Sequence, residues 1–359
     1  MPKILFLYTE LAGYVMSCFE ELAKYAEVHV VHWPINPEAP FKFNEIPGCS
    51  FYNRKEYDKN SLLKLTSKIF EHQTSNIEHQ TSVIICSGWV DKGYIKVCKH
   101  YFGFIPTVLT LDNHWSGSLK QHILSFISPF YLQKIFSNVW VPGTPQKQYA
   151  LKLGYKEQSI KTGFYSANTF AFGQIYEKYK EQKRSNFPQR FIYAGRYIET
   201  KGIFTLWEAF IEASEMLKCN WELWCLGAGA LYNSRVEHPK IKHFGFVQPA
   251  EMEPFLRDTG VFVLPSNFEP WGVAVQEFAA AGFPLLCSDK VGAASMFLKN
   301  GENGYVFKAD DKVSLKKQFL AIMQMDNREL NRIGELSHEL GQQVTPATWV
   351  KTALGFMLM

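Results

Sequence analysis

VFVLPSNFEPWGVAVQE, residues 261–277, runs from four apolar residues through a turn into a helical pattern. Val261 to Leu264 reads as a strand, Pro270 and Gly272 mark the turn, and a helix starts near Val273. The same alternation extends in both directions. Arg190 to Ala194, Trp221 to Leu226, Ile241 to Phe244 and Pro284 to Cys287 read as strands with helical stretches between them. The first half repeats the pattern at Ile4 to Tyr8, Val28 to Trp33, Ser82 to Cys86, Thr107 to Leu111 and Asn138 to Val141, with an amphipathic stretch from Gly13 to Tyr25. Strands alternating with helices form parallel sheets. Between the halves, YEKYKEQKRSN (176–186) is polar and lysine-rich, and reads as a solvated linker or a surface helix. Two α/β domains follow, at 1–165 and 166–340, facing a central cleft, with 341–359 as a terminal helix.

Composition agrees. At roughly 150 residues per domain, a chain of 359 residues is long for one core. Its formal net charge of +4 is mild. Nucleic acid as a partner would need a concentrated basic face and is not expected. An anionic ligand, or weak attraction to an anionic membrane surface, is compatible. The seven cysteines are odd in number and none are in a C-x-x-C pair, as in a reduced cytosolic protein. Lys3 to Tyr8 is too short for a signal segment, and no apolar run approaches the roughly 20 residues of a spanning helix. The expected location is the cytoplasm, soluble or peripheral on the inner face of the membrane.

Three constellations carry chemistry. Ala194-Gly195-Arg196 ends one strand, and Lys201-Gly202 precedes the next helix. A helix start offers free amides, and two cations beside it suit a diphosphate. Glu269 lies in the loop after Leu264 and Glu277 in the first turns of the next helix. Carboxylates accept hydrogen bonds from sugar and ribose hydroxyls, and the amides of Trp271, Gly272 and Val273 are unpaired donors at the helix start. Gly292-Ala293-Ala294 is either a second phosphate-facing helix start or a plain turn. In the first half, Gly13 allows close approach after the first strand. His114, after another strand, is either a sugar-binding or acid/base histidine or a structural one. No metal-binding D-x-D, phosphate loop or H-E-x-x-H is present, so no metal and no separate cofactor are expected. A tandem repeat, EHQTSNI (71–77) then EHQTSVI (78–84), places two histidines seven apart. A local duplication explains them better than a metal site.

Taken together, FIYAGRYIETKG (191–202), LPSNFEPWGVAVQEFAAAGFP (264–284), Val291-Gly292 and NGENGYVF (300–307) resemble family-4 retaining glycosyltransferases of the GT-B fold, two Rossmann-like domains. The resemblance covers most of the second domain, and the first only in layout. It implies a donor-binding second domain and an acceptor-binding first domain. Arg196 and Lys201 would hold a donor diphosphate, Glu277 the ribose, and Glu269, as the first glutamate of E-x7-E, the donor sugar. Gly13 would lie near the diphosphate and His114 near the sugar, although Asp112-Asn113 depart from the commoner pattern. Tyr197 and Trp271 sit at variable positions that leave the donor open, UDP- or GDP-linked. The final helix would pack back on the first domain.

The function so implied is metal-independent hexosyl transfer from a nucleotide sugar to a glycan or polyprenyl-linked acceptor, in surface polysaccharide or glycoconjugate synthesis. A nucleotide-sugar epimerase and a non-catalytic sugar-nucleotide-binding protein are the alternatives. Leu119 to Phe136 is rich in Ile, Leu, Phe and Tyr, with Lys120 and Lys134 near its ends and Pro129 breaking it. It reads equally as a membrane-interface segment or as a helix buried on the first sheet.

Overall fold

The computed structural model describes residues 1–37, 40–71 and 82–357. The repeat histidines, His72 and His79, lie outside the described residues. The chain divides into two compact units. Unit one is 1–36, 41–166 and 346–359, and unit two is 37–40 and 167–345.

Unit one holds seven parallel strands: β1 (Lys3–Tyr8), β2 (Glu27–His32), β3 (Cys49–Asn53), β4 (Ser82–Ser87), β5 (Thr107–Thr110), β6 (Asn138–Trp140) and β7 (Ile160–Lys161). Their order is β3-β2-β1-β4-β5-β6-β7. Successive side chains of a strand point to opposite faces. Leu5 and Leu7 enter one core with Ile84, Cys86 and Leu109, while Ile4, Phe6 and Tyr8 enter another with Val28, Val83 and Ile85. Burial on both faces explains the unbroken apolar runs. The second core is closed by the helix Pro346–Leu354. Its Trp349 is fully buried, packs on Phe6 and Trp140, and donates from Nε1 to the Phe164 carbonyl at 2.6 Å.

Unit two holds six parallel strands: β8 (Arg190–Ala194), β9 (Glu222–Leu226), β10 (Ile241–Gly245), β11 (Val261–Leu264), β12 (Leu285–Ser288) and β13 (Gly304–Phe307). Their order is β10-β9-β8-β11-β12-β13. Each sheet reverses direction of growth beside its first strand, between β1 and β4 and between β8 and β11. Ligands of open parallel sheets bind beyond the carboxyl ends of strands at such switch points.

Three strands escaped the sequence reading. β3 and β7 are sheet edges with one neighbour each, and β3 is only partly buried, so neither needs an apolar run. β13 is a third edge strand, four residues long, that opens on a glycine. The lysine-rich stretch is a surface helix, Thr169–Ser185, rather than a linker. Its Thr169 and Phe172 are buried, and its polar remainder faces solvent. The segment from Leu119 to Phe136 corrects another expectation. Its helix, Leu119–Ile127, has no buried residue, so it is not a helix buried on the first sheet. Leu124 packs partly against the core, and the following turns bury Leu132, Ile135 and Phe136 in it.

Truncating a buried tryptophan costs about 3–5 kcal/mol. Trp349→Ala should therefore lower the stability of unit one by that amount. Hydrogen-exchange protection of the β1 amides checks it, and unchanged protection would refute the packing role of the last helix.

Candidate functional site

The site in unit two is assembled from three loops, after β8, β11 and β12. The first begins at Gly195, whose amide donates to the Leu226 carbonyl at 3.0 Å; Tyr197 donates likewise to Ala228 at 2.8 Å. Between them the Arg196 carbonyl accepts from the Tyr193 hydroxyl at 2.8 Å. The backbone that carries Arg196 is thus held on both sides, with its side chain half-buried. A single 3-10 turn, Glu199–Lys201, then leads to Gly202 at φ 64°, which opens the helix Ile203–Leu217. Left-handed backbone favours glycine. Space demands it too, because a Cβ at Gly202 would run into the Pro265 carbonyl oxygen.

That close approach joins the first loop to the second. The Thr200 carbonyl accepts from the amides of Asn267 at 2.8 Å and Phe268 at 3.2 Å. Lys201 Nζ forms an ion pair with Glu269 Oε2, and both side chains are largely buried, at 15% and 13% exposure. The Ser266 hydroxyl lies 3.4 Å from the same oxygen. The third loop is tied in by the amides of Gly292 and Ala293, which donate to the carbonyls of Glu269 at 3.0 Å and Trp271 at 2.8 Å. Gly292-Ala293-Ala294 precedes only a four-residue helix, Ala294–Phe297, and its ordered amides serve this bracing.

The helix Val273–Ala280 begins at Gly272, in left-handed backbone at φ 90°. Among the described residues, the amides of Trp271, Gly272 and Val273 meet no acceptor. They are the orphan donors of a helix start, beside the Lys201–Glu269 pair. Glu277 lies one turn further along the same helix. It is half-buried, no described side chain pairs with it, and burial pushes its carboxyl up to about 7. A carboxyl in that state can donate or accept a hydrogen bond according to pH.

Tyr197 and Trp271 do not face a ligand. Tyr197 is fully buried and bonds from its hydroxyl to His243 Nδ1 at 2.8 Å. Trp271 packs its ring toward Phe297, with its indole N–H buried and unbonded. Both side chains belong to the core of unit two, while the Trp271 amide stays with the site. Sequence reading overlooked Asn267, whose carboxamide oxygen is buried beside Gly202 with no partner. Buried polar atoms are rarely left unsatisfied. Its place directly after Pro265-Ser266 was the available signal.

Gly13 and His114 belong to unit one. Gly13 caps the helix Tyr14–Leu22 in ordinary right-handed backbone, so its conformation does not require glycine. His114 is half-buried in the loop after β5, and its carbonyl accepts from Gln121 Nε2 at 2.9 Å. An unforeseen cluster lies by these loops. Tyr165 donates toward Asp112 Oδ2 at 3.4 Å, and Tyr14 meets the Tyr165 ring edge-on at 5.4 Å. Burial, then Glu10 and Asp112, push the Tyr14 phenol up, so it remains a donor. Among the described residues, no group of three or more His, Cys, Asp or Glu is arranged to hold a metal ion.

Residues 176–341 match the family model of glycosyl transferases group 1. The matched stretch contains Arg196, Lys201, Glu269 and Glu277. The whole chain is similar to solved structures of the same architecture. Sucrose-phosphate synthase from Thermosynechococcus elongatus shares 17% identity at a TM-score of 0.66, over 98% of this chain and 97% of that one. HepE of Anabaena, solved with UDP and glucose, shares 14% at 0.65, over 98% of each chain. The structure described as trehalose-6-phosphate from E. coli, bound with UDP-2-fluoro glucose, shares 9% at 0.70, over 98% of this chain and 97% of that one. At these identities the likeness is one of fold: two parallel-sheet α/β domains, the GT-B architecture. No curated protein matches the chain in sequence.

Two predictions follow from this geometry. Gly202→Ala forces both a strained backbone and a collision with Pro265, so it should destabilise unit two by more than about 1 kcal/mol. An unchanged urea midpoint would contradict the loop junction described above. Glu277 gives a pH signature. Its folded pKa of about 7 lies above the ordinary 4.5. Between those values the folded chain binds more proton than the unfolded, so stability falls as pH rises through the window. Glu277→Gln removes this fall. The stability gap between variant and wild type should widen from pH 4.5 to about 7 and then level off, which urea titrations at stepped pH would show.

Proposed function

We propose that the protein is a retaining glycosyltransferase of the family-4 type, moving a hexose from a UDP- or GDP-linked donor to a glycan or lipid-linked acceptor. The observation that carries this reading is the convergence of Arg196, Lys201, Glu269 and three free amides at the switch point of one parallel sheet, inside a group 1 domain. Two proteins of the same architecture, solved with UDP and glucose and with UDP-2-fluoro glucose, support it.

In this reading Arg196 and Lys201 neutralise the donor diphosphate. Lys201 is held by Glu269, so an arriving phosphate competes with that carboxylate for the ammonium group. Displaced from Lys201, Glu269 can accept from a sugar hydroxyl, and the amides of Trp271 to Val273 can donate to hydroxyl or phosphate oxygens. Glu277 accepts the ribose hydroxyls once ionised; its raised pKa makes donor binding strengthen as pH rises toward 7. The bond from anomeric carbon to phosphate oxygen breaks through an oxocarbenium-like state, and charge grows on the leaving diphosphate. Fixed cations and helix-start amides stabilise that charge without reorganising. The leaving phosphate takes the acceptor's proton, as the family resemblance implies. Unit one binds the acceptor in this reading; its Gly13 and His114, in the loops after β1 and β5, keep the donor-side roles that the resemblance implies.

A thermal-shift series of nucleoside diphosphates and their sugars tests the donor. Ligand at 100 times its dissociation constant adds about 2.7 kcal/mol, so one nucleotide should stand out. Lys201→Ala and Glu277→Ala should each lower transfer by about 10²–10³-fold while the chain stays folded by circular dichroism. Full transfer by both variants would sink the assignment, and epimerised donor released without acceptor would replace it.

A further inference from the structure

The helix Leu119–Ile127 carries its apolar residues as a helical stripe: Leu119, Ile123, Phe126 and Ile127, continued by Phe130 in the next turn. Such a stripe ordinarily faces the core. Here it faces out. Leu119, Phe126 and Phe130 are 77%, 79% and 78% exposed, and Ile123, Ile127 and Tyr131 are exposed as well. Singly exposed apolar residues need no explanation, but a contiguous exposed stripe marks an interaction surface.

Charge identifies the partner. From Lys92 to Lys156 the chain carries eight lysines and no arginine against the single carboxylate of Asp112, whereas the remainder is net acidic. Among the described residues, only Lys147 of the eight has an ion pair, with Glu157. Two exposed lysines flank the stripe directly. Lys99 lies over the Tyr131 ring at 5.2 Å, at one end. Lys152 lies over Trp115 at 5.0 Å, and Trp115 contacts His122 of the helix at 4.8 Å. Lys120 and Lys134 are exposed within the segment itself. An apolar stripe ringed by unpaired cations fits the headgroup–acyl boundary of an anionic bilayer, where the rings enter the acyl region and the lysines meet phosphates. A second copy of the chain would bring the same cations against each other.

We propose that Leu119–Tyr131 seats this protein on anionic lipid surfaces. No described helix is long and apolar enough to cross a membrane, so the contact is peripheral. The seat is coupled to the loop that carries His114. Gln121 of the helix donates to the His114 carbonyl, and its oxygen accepts from the Ser116 amide at 2.7 Å and hydroxyl at 2.9 Å. These bonds tie the seat to the loop at the carboxyl end of β5. The lipid contact does not depend on the transferase reading, and it is measured without catalysis.

The test is co-sedimentation of the full chain with phosphatidylcholine vesicles, with and without about one third phosphatidylglycerol. The wild type should bind the anionic vesicles and be released by salt. Lys120→Gln and Lys134→Gln should each weaken partitioning about fivefold. Phe126→Ser with Phe130→Ser should abolish it at an unchanged melting temperature, as both rings are exposed. Failure of the wild type to bind, or binding that survives all four substitutions, overturns the proposal. So does a dimer in sedimentation velocity that Phe126→Ser dissociates, because the stripe would then be covered by a second copy.

Discussion

The contact of Gly202 with the Pro265 carbonyl, sealed by the Lys201–Glu269 ion pair, joins segments more than sixty residues apart into one site. Everything else in unit two's functional edge is arranged around it. Thr200 offers its carbonyl to two amides of the second loop, and the second loop offers two carbonyls to amides of the third. A side chain at 202 would part the first two loops, and the cation would lose its fixed place. Held this way, the amides at the start of helix Val273–Ala280 point out of a braced turn. That is the arrangement in which donors act on developing charge without first having to move.

The ion pair also shapes the energetics of binding. A largely buried lysine and carboxylate satisfy one another, so neither is left as an unpaired charge. An anion that reaches Lys201 competes with Glu269 for the ammonium group, and a carboxylate freed from it needs hydroxyl donors of its own. A ligand with both a diphosphate and a polyhydroxylated ring meets both needs at once. Phosphate alone leaves the carboxylate unsatisfied. Under the proposed function, selectivity for a whole donor over its fragments would follow from the pair itself, with Glu277 as a third polar group whose charge state burial has made sensitive to pH.

Unit one uses the same topology differently. An acid–phenol cluster joins its segments after β1, β5 and β7, with Tyr14, Asp112 and Tyr165 in mutual reach. Its most unusual surface lies beyond β5, where a helix turns its apolar stripe to solvent. The lysines around that stripe come from four separate elements, a convergence visible only once they are folded together.

Much was legible in the chain alone. Strands of a parallel sheet are buried on both faces, so VFVL (261–264) and RFIYA (190–194) announced themselves as apolar runs, and the glycine and proline turns after them located the site loops. Edge strands such as CSFYN (49–53) lack that burial and left no such mark. Composition also marked Leu119 to Phe136 as apolar, but not whether its apolar residues faced a sheet or solvent, since the composition suits both. Pairings were equally hidden: Lys201 with Glu269, Gly202 against Pro265, Gln121 on the His114 loop. Local sequence determines which way a short segment turns and what it offers. Only the packed fold decides which offers meet, because those distances depend on every strand lying between them.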